Sequence, residues 1–166
     1  MLTHPILEKL QQLKFTGMIA ALSEQINTTD IDQLTFDERL GLLVDREMTE
    51  RENRKLSSRL RRAKLRFPQA SMEDIDYRAP RGIDRSAMQA LASCSWIKDH
   101  LSTLITGPTG VGKSWLACAL GQKGCREEYS VLYARLPRLM QELIIAKVDG
   151  RFPKMLTTLG SIGEEK

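Results

Sequence analysis

The stretch Gly107-Pro108-Thr109-Gly110-Val111-Gly112-Lys113-Ser114 is a complete GxxxxGK[ST] pattern. Each fixed position has its own duty toward a nucleoside triphosphate. Gly110 and Gly112 admit turn conformations closed to other residues, so that successive N–H groups can converge on phosphate oxygens. Gly107 and Pro108 open the turn, with Thr109 and Val111 at its variable positions. Lys113 is spaced to reach the β- and γ-phosphates of ATP, and Ser114 is the expected Mg²⁺ ligand. A helix beginning at this point aims its positive end at the anion. At average residue usage a chance match has a probability of about 10⁻⁵ per window, so coincidence is a weak explanation.

The flanks suit the same chemistry. Residues 101–106, Leu-Ser-Thr-Leu-Ile-Thr, are apolar and β-branched and predict a strand, and residues 115–120 predict a helix. Strand, loop and helix in that order fix the loop and face the helix start to the phosphates. Further on, residues 130–134 predict a second buried strand, and residues 136–147 a second helix bearing Leu136, Leu139, Met140, Leu143 and Ile144. Alternating strands and helices imply a parallel sheet with crossover helices. The fold expected is therefore α/β: a helical N-terminal module followed by an incomplete P-loop NTPase domain with a parallel sheet. With two strand candidates, the sheet would leave an apolar edge without neighbours.

Upstream, residues 5–14 and 17–25 read as a short helical pair. Thr35-Phe-Asp-Glu38 has the spacing of a capping box and predicts the start of a long helix. Phe36, Leu40, Leu43 and Val44 are its expected buried stripe, continued by Leu56, Leu60 and Leu65. Phe67-Pro68 should stop it, because the residue before proline is driven out of the α region. The polar stretch that follows, with Pro80 and Gly82, reads as a linker, and residues 83–100 look helical in part. The organisation predicted is a helical module with a basic helix over residues 1–67, a linker over 68–82 and a nucleotide-binding portion over 83–166.

The formal net charge is +4 and the isoelectric point about 9.1, but the distribution says more. Residues 46–66 hold nine basic residues against Glu47, Glu50 and Glu52, and residues 54–66 hold no acid at all. Arg54, Lys55, Arg59, Arg61, Arg62, Lys64 and Arg66 therefore cannot be neutralised by i,i+4 partners within the segment. Their field is met by solvent, as on an ordinary charged helix face, or by the phosphates of a nucleic acid.

The chain shows no apolar run long enough to span a membrane, and its charged N-terminus lacks the apolar core of a secretory signal. The expected location is the cytoplasm. Cys94, Cys118 and Cys125 are odd in number and lack CxxC spacing, which suits small apolar packing. With only His4 and His100 beside them, a structural zinc site is not expected. Asn27-Thr-Thr29 matches a glycosylation acceptor, a match without consequence in that compartment.

Several stretches together resemble a known family, the IstB-type helper ATPases of bacterial insertion sequences, relatives of the DnaC-type helicase loaders in the AAA+ group. Leu7-Glu-Lys-Leu-Gln-Gln-Leu-Lys-Phe-Thr-Gly-Met18 resembles the family's opening helix with its Gly-Met step. Leu34-Thr-Phe-Asp-Glu-Arg-Leu-Gly-Leu-Leu43 with Asp45-Arg-Glu47 resembles a second signature. Asn53-Arg-Lys55 and Arg59-Leu-Arg-Arg-Ala63 are similar to the basic helix that follows. The resemblance continues through Trp96-Ile97 and the phosphate loop, covering nearly the whole chain. It implies an ATP-dependent DNA-binding protein that forms homo-oligomers on DNA and assists a transposase partner. It also implies that residues 107–114 take the triphosphate and Mg²⁺ roles and that the segment before Leu101 lies near the adenine.

The chain departs from the family pattern after the second helix. Family members continue into an apolar strand ending in paired carboxylates, whereas this chain reads Thr157-Thr-Leu-Gly-Ser-Ile-Gly-Glu-Glu-Lys166. Glu164 and Glu165 follow no apolar run and are not assigned that duty. Phosphoryl transfer depends on such positioning and charge-stabilising groups, so little or no hydrolysis is expected of this chain. Whether it acts as an enzyme is left open by its residues. Other readings are a non-enzymatic fragment that binds DNA or a partner, and a helicase-loader-like ATPase of DNA replication.

Overall fold

The computed structural model describes residues 5–29, 31–78 and 82–163, with Asp32 described by its backbone alone. Part of the expected linker, together with His4, Glu164 and Glu165, lies outside these residues. The regular elements are helices: α1 (Pro5–Gln12), α2 (Thr16–Asn27), α3 (Phe36–Ala63), α4 (Arg85–Ala92), α5 (Ser95–Lys98), α6 (Lys113–Arg126), α7 (Leu136–Val148) and α8 (Phe152–Gly160), with 3-10 turns at Ile31–Gln33 and Met72–Asp74. By contact the chain divides into two units, Met1–Lys55 and Leu56–Lys166.

In the first unit α1 packs on α2. The capping box at the head of α3 forms as its spacing predicts. The Thr35 N–H donates to Glu38 Oε2 at 2.8 Å, and the Glu38 N–H to Thr35 Oγ1 at 3.4 Å. Of the buried stripe expected on α3, Phe36 is 76% exposed and Leu40 and Val44 are exposed too, whereas Leu43, Leu56, Leu60 and Leu65 are half-buried. The face that meets α2 is instead polar. Gln25 Nε2 donates to the Arg39 carbonyl at 3.0 Å, and the Gly17 N–H donates to buried Glu47 Oε2 at 2.7 Å. Gly17 permits this approach, because a Cβ there would stand 2.6 Å from the Arg46 carbonyl oxygen and Glu47 Cα. Hydrophobic spacing alone could not show that α2 meets α3 through backbone and hydrogen bonds.

In the second unit α6 is the central element, burying Leu116, Cys118, Ala119, Leu120, Gln122, Gly124 and Cys125. The small apolar role expected of the cysteines is what these positions show, and Cys94 is buried as well. Ala70, Cys118 and Ala119 form the core, packed by Leu65, Phe67, Met72, Trp115 and Tyr133. Helix α3 ends at Ala63, before the predicted stop, with Lys64 taking a left-handed φ of 51°. Ala70, Ser71 and Ile75 are buried within the stretch read as a linker. The Met72–Asp74 turn lies against α6, and Arg126 reaches Glu73 at 3.1 Å.

The expected parallel α/β domain is not what the structure shows. Among the described residues no strand forms, and Tyr129 alone occupies an isolated bridge position. The two segments predicted as strands lack the ladder partners that define one. Leu104, in residues 101–106, is 87% exposed. In residues 130–134 the backbone bonds go elsewhere: the Tyr133 N–H donates to the Ala63 carbonyl at 2.8 Å, and the Ser130 carbonyl accepts from the Gly163 N–H at 2.9 Å. Thr103, Ile105, Val131 and Leu132 line one apolar cavity of about 350 Å³. Helix α8 was not anticipated, although Phe152, Met155, Leu156 and Leu159 have helical spacing.

Candidate functional site

The glycine-rich stretch at residues 107–114 keeps the local geometry its glycines predict. Gly107, Gly110 and Gly112 all have positive φ, of 146°, 87° and 98°. Gly112 is the residue that caps α6, in the left-handed region, and the Leu116 N–H donates to its carbonyl at 2.9 Å. Only glycine adopts that conformation without strain. A glycine cap also brings no side chain to compete for the first N–H groups of the helix, and the first turn carries no acid. The start of α6 is thus a cluster of donors at the positive end of a helix dipole.

Lys113 is the first residue of α6. Its Nζ donates to the Gly107 carbonyl at 2.8 Å and the Pro108 carbonyl at 2.6 Å, which places a cation at the opening of the turn. Ser114 follows on the exposed side of the same helical turn, while Thr109 and Gly110 form the exposed tip and Val111 is half-buried. These eight residues lie together because they are contiguous, and α6 anchors them through the buried Leu116, Cys118 and Ala119.

A cavity of about 670 Å³ adjoins the loop, within the usual size range of small-molecule sites. Val111, Gly112, Lys113, Trp115 and Leu116 line it, and Ile75, Ile83, Met88 and Leu91 bring apolar side chains from the segment ahead of Leu101. Asp76 and Asp84 also line it, but each is engaged locally. The Arg78 N–H donates to Asp76 Oδ1 at 2.9 Å, and Asp84 caps α4 by accepting from the Ser86 N–H. The hydrogen bond from the Ser86 hydroxyl, then that from its N–H, holds the Asp84 carboxyl below its ordinary value. No pattern marked Ile75 or Ile83, because the segment that carries them is irregular.

The basic residues of α3 and its end separate by environment. Arg54, Lys55, Arg61, Arg62, Lys64 and Arg66 are exposed, whereas Arg59 is buried. Arg59 Nε donates to the Cys125 carbonyl at 2.9 Å, and Arg59 Nη1 lies 3.4 Å from Glu128 Oε1. Arg59 therefore holds α3 to the end of α6 rather than facing solvent. Arg54 lies 3.5 Å from Glu47 Oε1, and Arg66 stacks over the Phe67 ring at 5.2 Å.

A glycine turn running into a lysine-headed helix, beside a cavity with an apolar wall, defines a nucleotide-binding class of protein. Comparison with protein families matches residues 8–162 to the IstB-like ATP binding proteins. The chain belongs to that family. It is 51% identical over 98% of its length to the insertion sequence ATP-binding protein y4pL of Sinorhizobium fredii, and covers 66% of that protein. It is 46% identical to the IS1162 ATP-binding protein of Pseudomonas fluorescens, over 98% of this chain and 70% of the other. Identity to the IS21 ATP-binding protein of Pseudomonas aeruginosa is 30%, over 94% of this chain and 58% of the other. The chain thus spans only part, 58% to 70%, of the length of these relatives. Among the described residues, no helix is long and apolar enough to cross a membrane.

Proposed function

We propose that this chain is an ATP-binding, DNA-associated helper of insertion-sequence transposition, acting beside a transposase and further copies of itself in the cytoplasm. The observation that carries the reading is the left-handed Gly110 and Gly112 turn at the head of α6, with the Lys113 ammonium beside it. The N–H groups of residues 110–114 would hold the phosphate oxygens. Lys113 would exchange its bonds to the Gly107 and Pro108 carbonyls for bonds to the triphosphate. Ser114 fits a Mg²⁺ ion shared with phosphate oxygens, a metal that takes few protein ligands and keeps its water. The apolar wall at Ile75, Ile83 and Met88 suits a purine base.

The support extends to binding rather than turnover. Asp76 and Asp84 are turned to local N–H groups, so we assign nucleotide binding to this chain and expect it to hydrolyse ATP weakly by itself. A fluorescent ATP analogue should bind in a Mg²⁺-dependent manner, and Lys113→Ala should remove the signal. Equal binding by both proteins would refute the nucleotide reading. DNA association rests on the exposed cations at Arg54, Lys55, Arg61, Arg62, Lys64 and Arg66, and predicts affinity for duplex DNA that falls steeply with salt. Salt-independent binding, or none, would leave those cations as a solvated face.

A further inference from the structure

The cations at the end of α3 do not stand on an isolated helix. Beyond Ala63 the chain turns through left-handed Lys64, and Arg62, Lys64 and Arg66 line a cleft of about 550 Å³ together with Arg135 and Arg138 from the start of α7. The latter two come from a region some seventy residues away in sequence, where no run of charge marks them. Glu142 is the lone acidic residue lining the cleft, and it is already paired with Arg138 at 3.1 Å. Arg135 caps α7 without a side-chain hydrogen bond, and no acid stands in the first turn of that helix. The positive end of a 13-residue helix therefore adds to five cationic side chains on one concave surface. Leu132, Tyr133 and Leu139 line the same cleft.

We infer that this cleft is a seat for the phosphate backbone of duplex DNA, with Arg135 and Arg138 as contact residues beside Arg62, Lys64 and Arg66. The inference rests on the DNA-associated reading above and deepens it by naming the surface. Five cations around one concave surface can neutralise backbone phosphates, and each phosphate neutralised releases condensed counterions. An acidic protein segment is the competing occupant.

The test is a salt titration of binding to a short fluorescein-labelled DNA duplex. The proteins compared are the wild type, Arg135→Glu with Arg138→Glu, Glu142→Gln, and Arg61→Glu, whose side chain is exposed but does not line the cleft. The double reversal should weaken binding at least about tenfold and make the log–log salt slope shallower by about two, since each lost phosphate contact removes about 0.9. Glu142→Gln, which removes the one opposing carboxylate, should tighten binding. The double-reversal sites are exposed, and an unchanged thermal melt checks that the fold is kept. Wild-type slope and affinity in the double reversal, with loss only in Arg61→Glu, would overturn the cleft while leaving DNA association standing. No salt-dependent binding by the wild type would overturn both. Displacement of the duplex by polyglutamate at equal charge concentration would give the cleft to an acidic peptide instead.

Discussion

Arg59 Nε donates to the carbonyl of Cys125 across 66 residues of sequence, at 2.9 Å, in a buried setting. A residue drawn from the most basic part of the chain thereby becomes an internal tie, and its neighbours Arg61 and Arg62 are left to face outward.

That division separates stability from binding. Replacing Arg59 by Met leaves a buried carbonyl without its donor and should cost about 1–3 kcal/mol. Arg61→Ala, at an exposed position, should change stability by no more than about 0.5 kcal/mol. Urea unfolding of the two variants checks the contrast, and equal losses would contradict it.

Gly112→Ala forces a side-chain-bearing residue into φ 98° at the head of α6, a strain of about 1–3 kcal/mol. The loop should open, and affinity for a fluorescent ATP analogue should fall while helix content by circular dichroism stays near wild type. Wild-type affinity would show that the glycine turn does not hold the phosphates.

Gly17→Ala places a methyl group 2.6 Å from backbone atoms of Arg46 and Glu47. No side chain can move aside there, so α2 and α3 must separate, at about 1–3 kcal/mol. A melting temperature equal to wild type would contradict the close approach.

Glu47 predicts a dependence on pH. Burial alone would raise its carboxyl, but hydrogen bonds from Arg51 and from the Met18 and Gly17 N–H groups prevail and leave it below the ordinary value. A carboxyl that titrates lower in the folded chain contributes stability in full above the unfolded value and loses it as pH falls toward the folded one. Glu47→Gln should therefore melt below wild type at neutral pH, and the difference should close as pH drops beneath about 4.3. A gap of constant size through acid would show that the carboxylate charge is not the cause.

The thiols offer a probe of the second unit. Cys118 and Cys125 are 0% exposed and Cys94 is 2% exposed, and burial first of all pushes the thiols of Cys94 and Cys125 upward. Reaction with Ellman's reagent should be slow in the native protein and release three equivalents of thiol in denaturant, matching the three cysteines. Rapid native labelling would mean that α6 is not the buried centre.

Features that depend on neighbours within about four residues were legible without coordinates. The glycine turn at residues 107–112, the capping box at Thr35 and Glu38, and α6 with its small buried cysteines all follow from local backbone preference and helical spacing. Distant partners decided the rest. Residues 101–106 have the composition of a strand, but a strand exists only through bonds to another, and Thr103 and Ile105 line a cavity instead. Phe36 stays exposed and Glu47 is buried, because Gly17 and Gln25 offer α3 backbone contact and hydrogen bonds in place of an apolar surface. The count of positive charge was open to reading from composition. Which cations turn inward at Arg59, and which gather with Arg135 and Arg138 around one cleft, was settled by chain segments meeting in space, where burial and charge pairing act without regard to sequence distance.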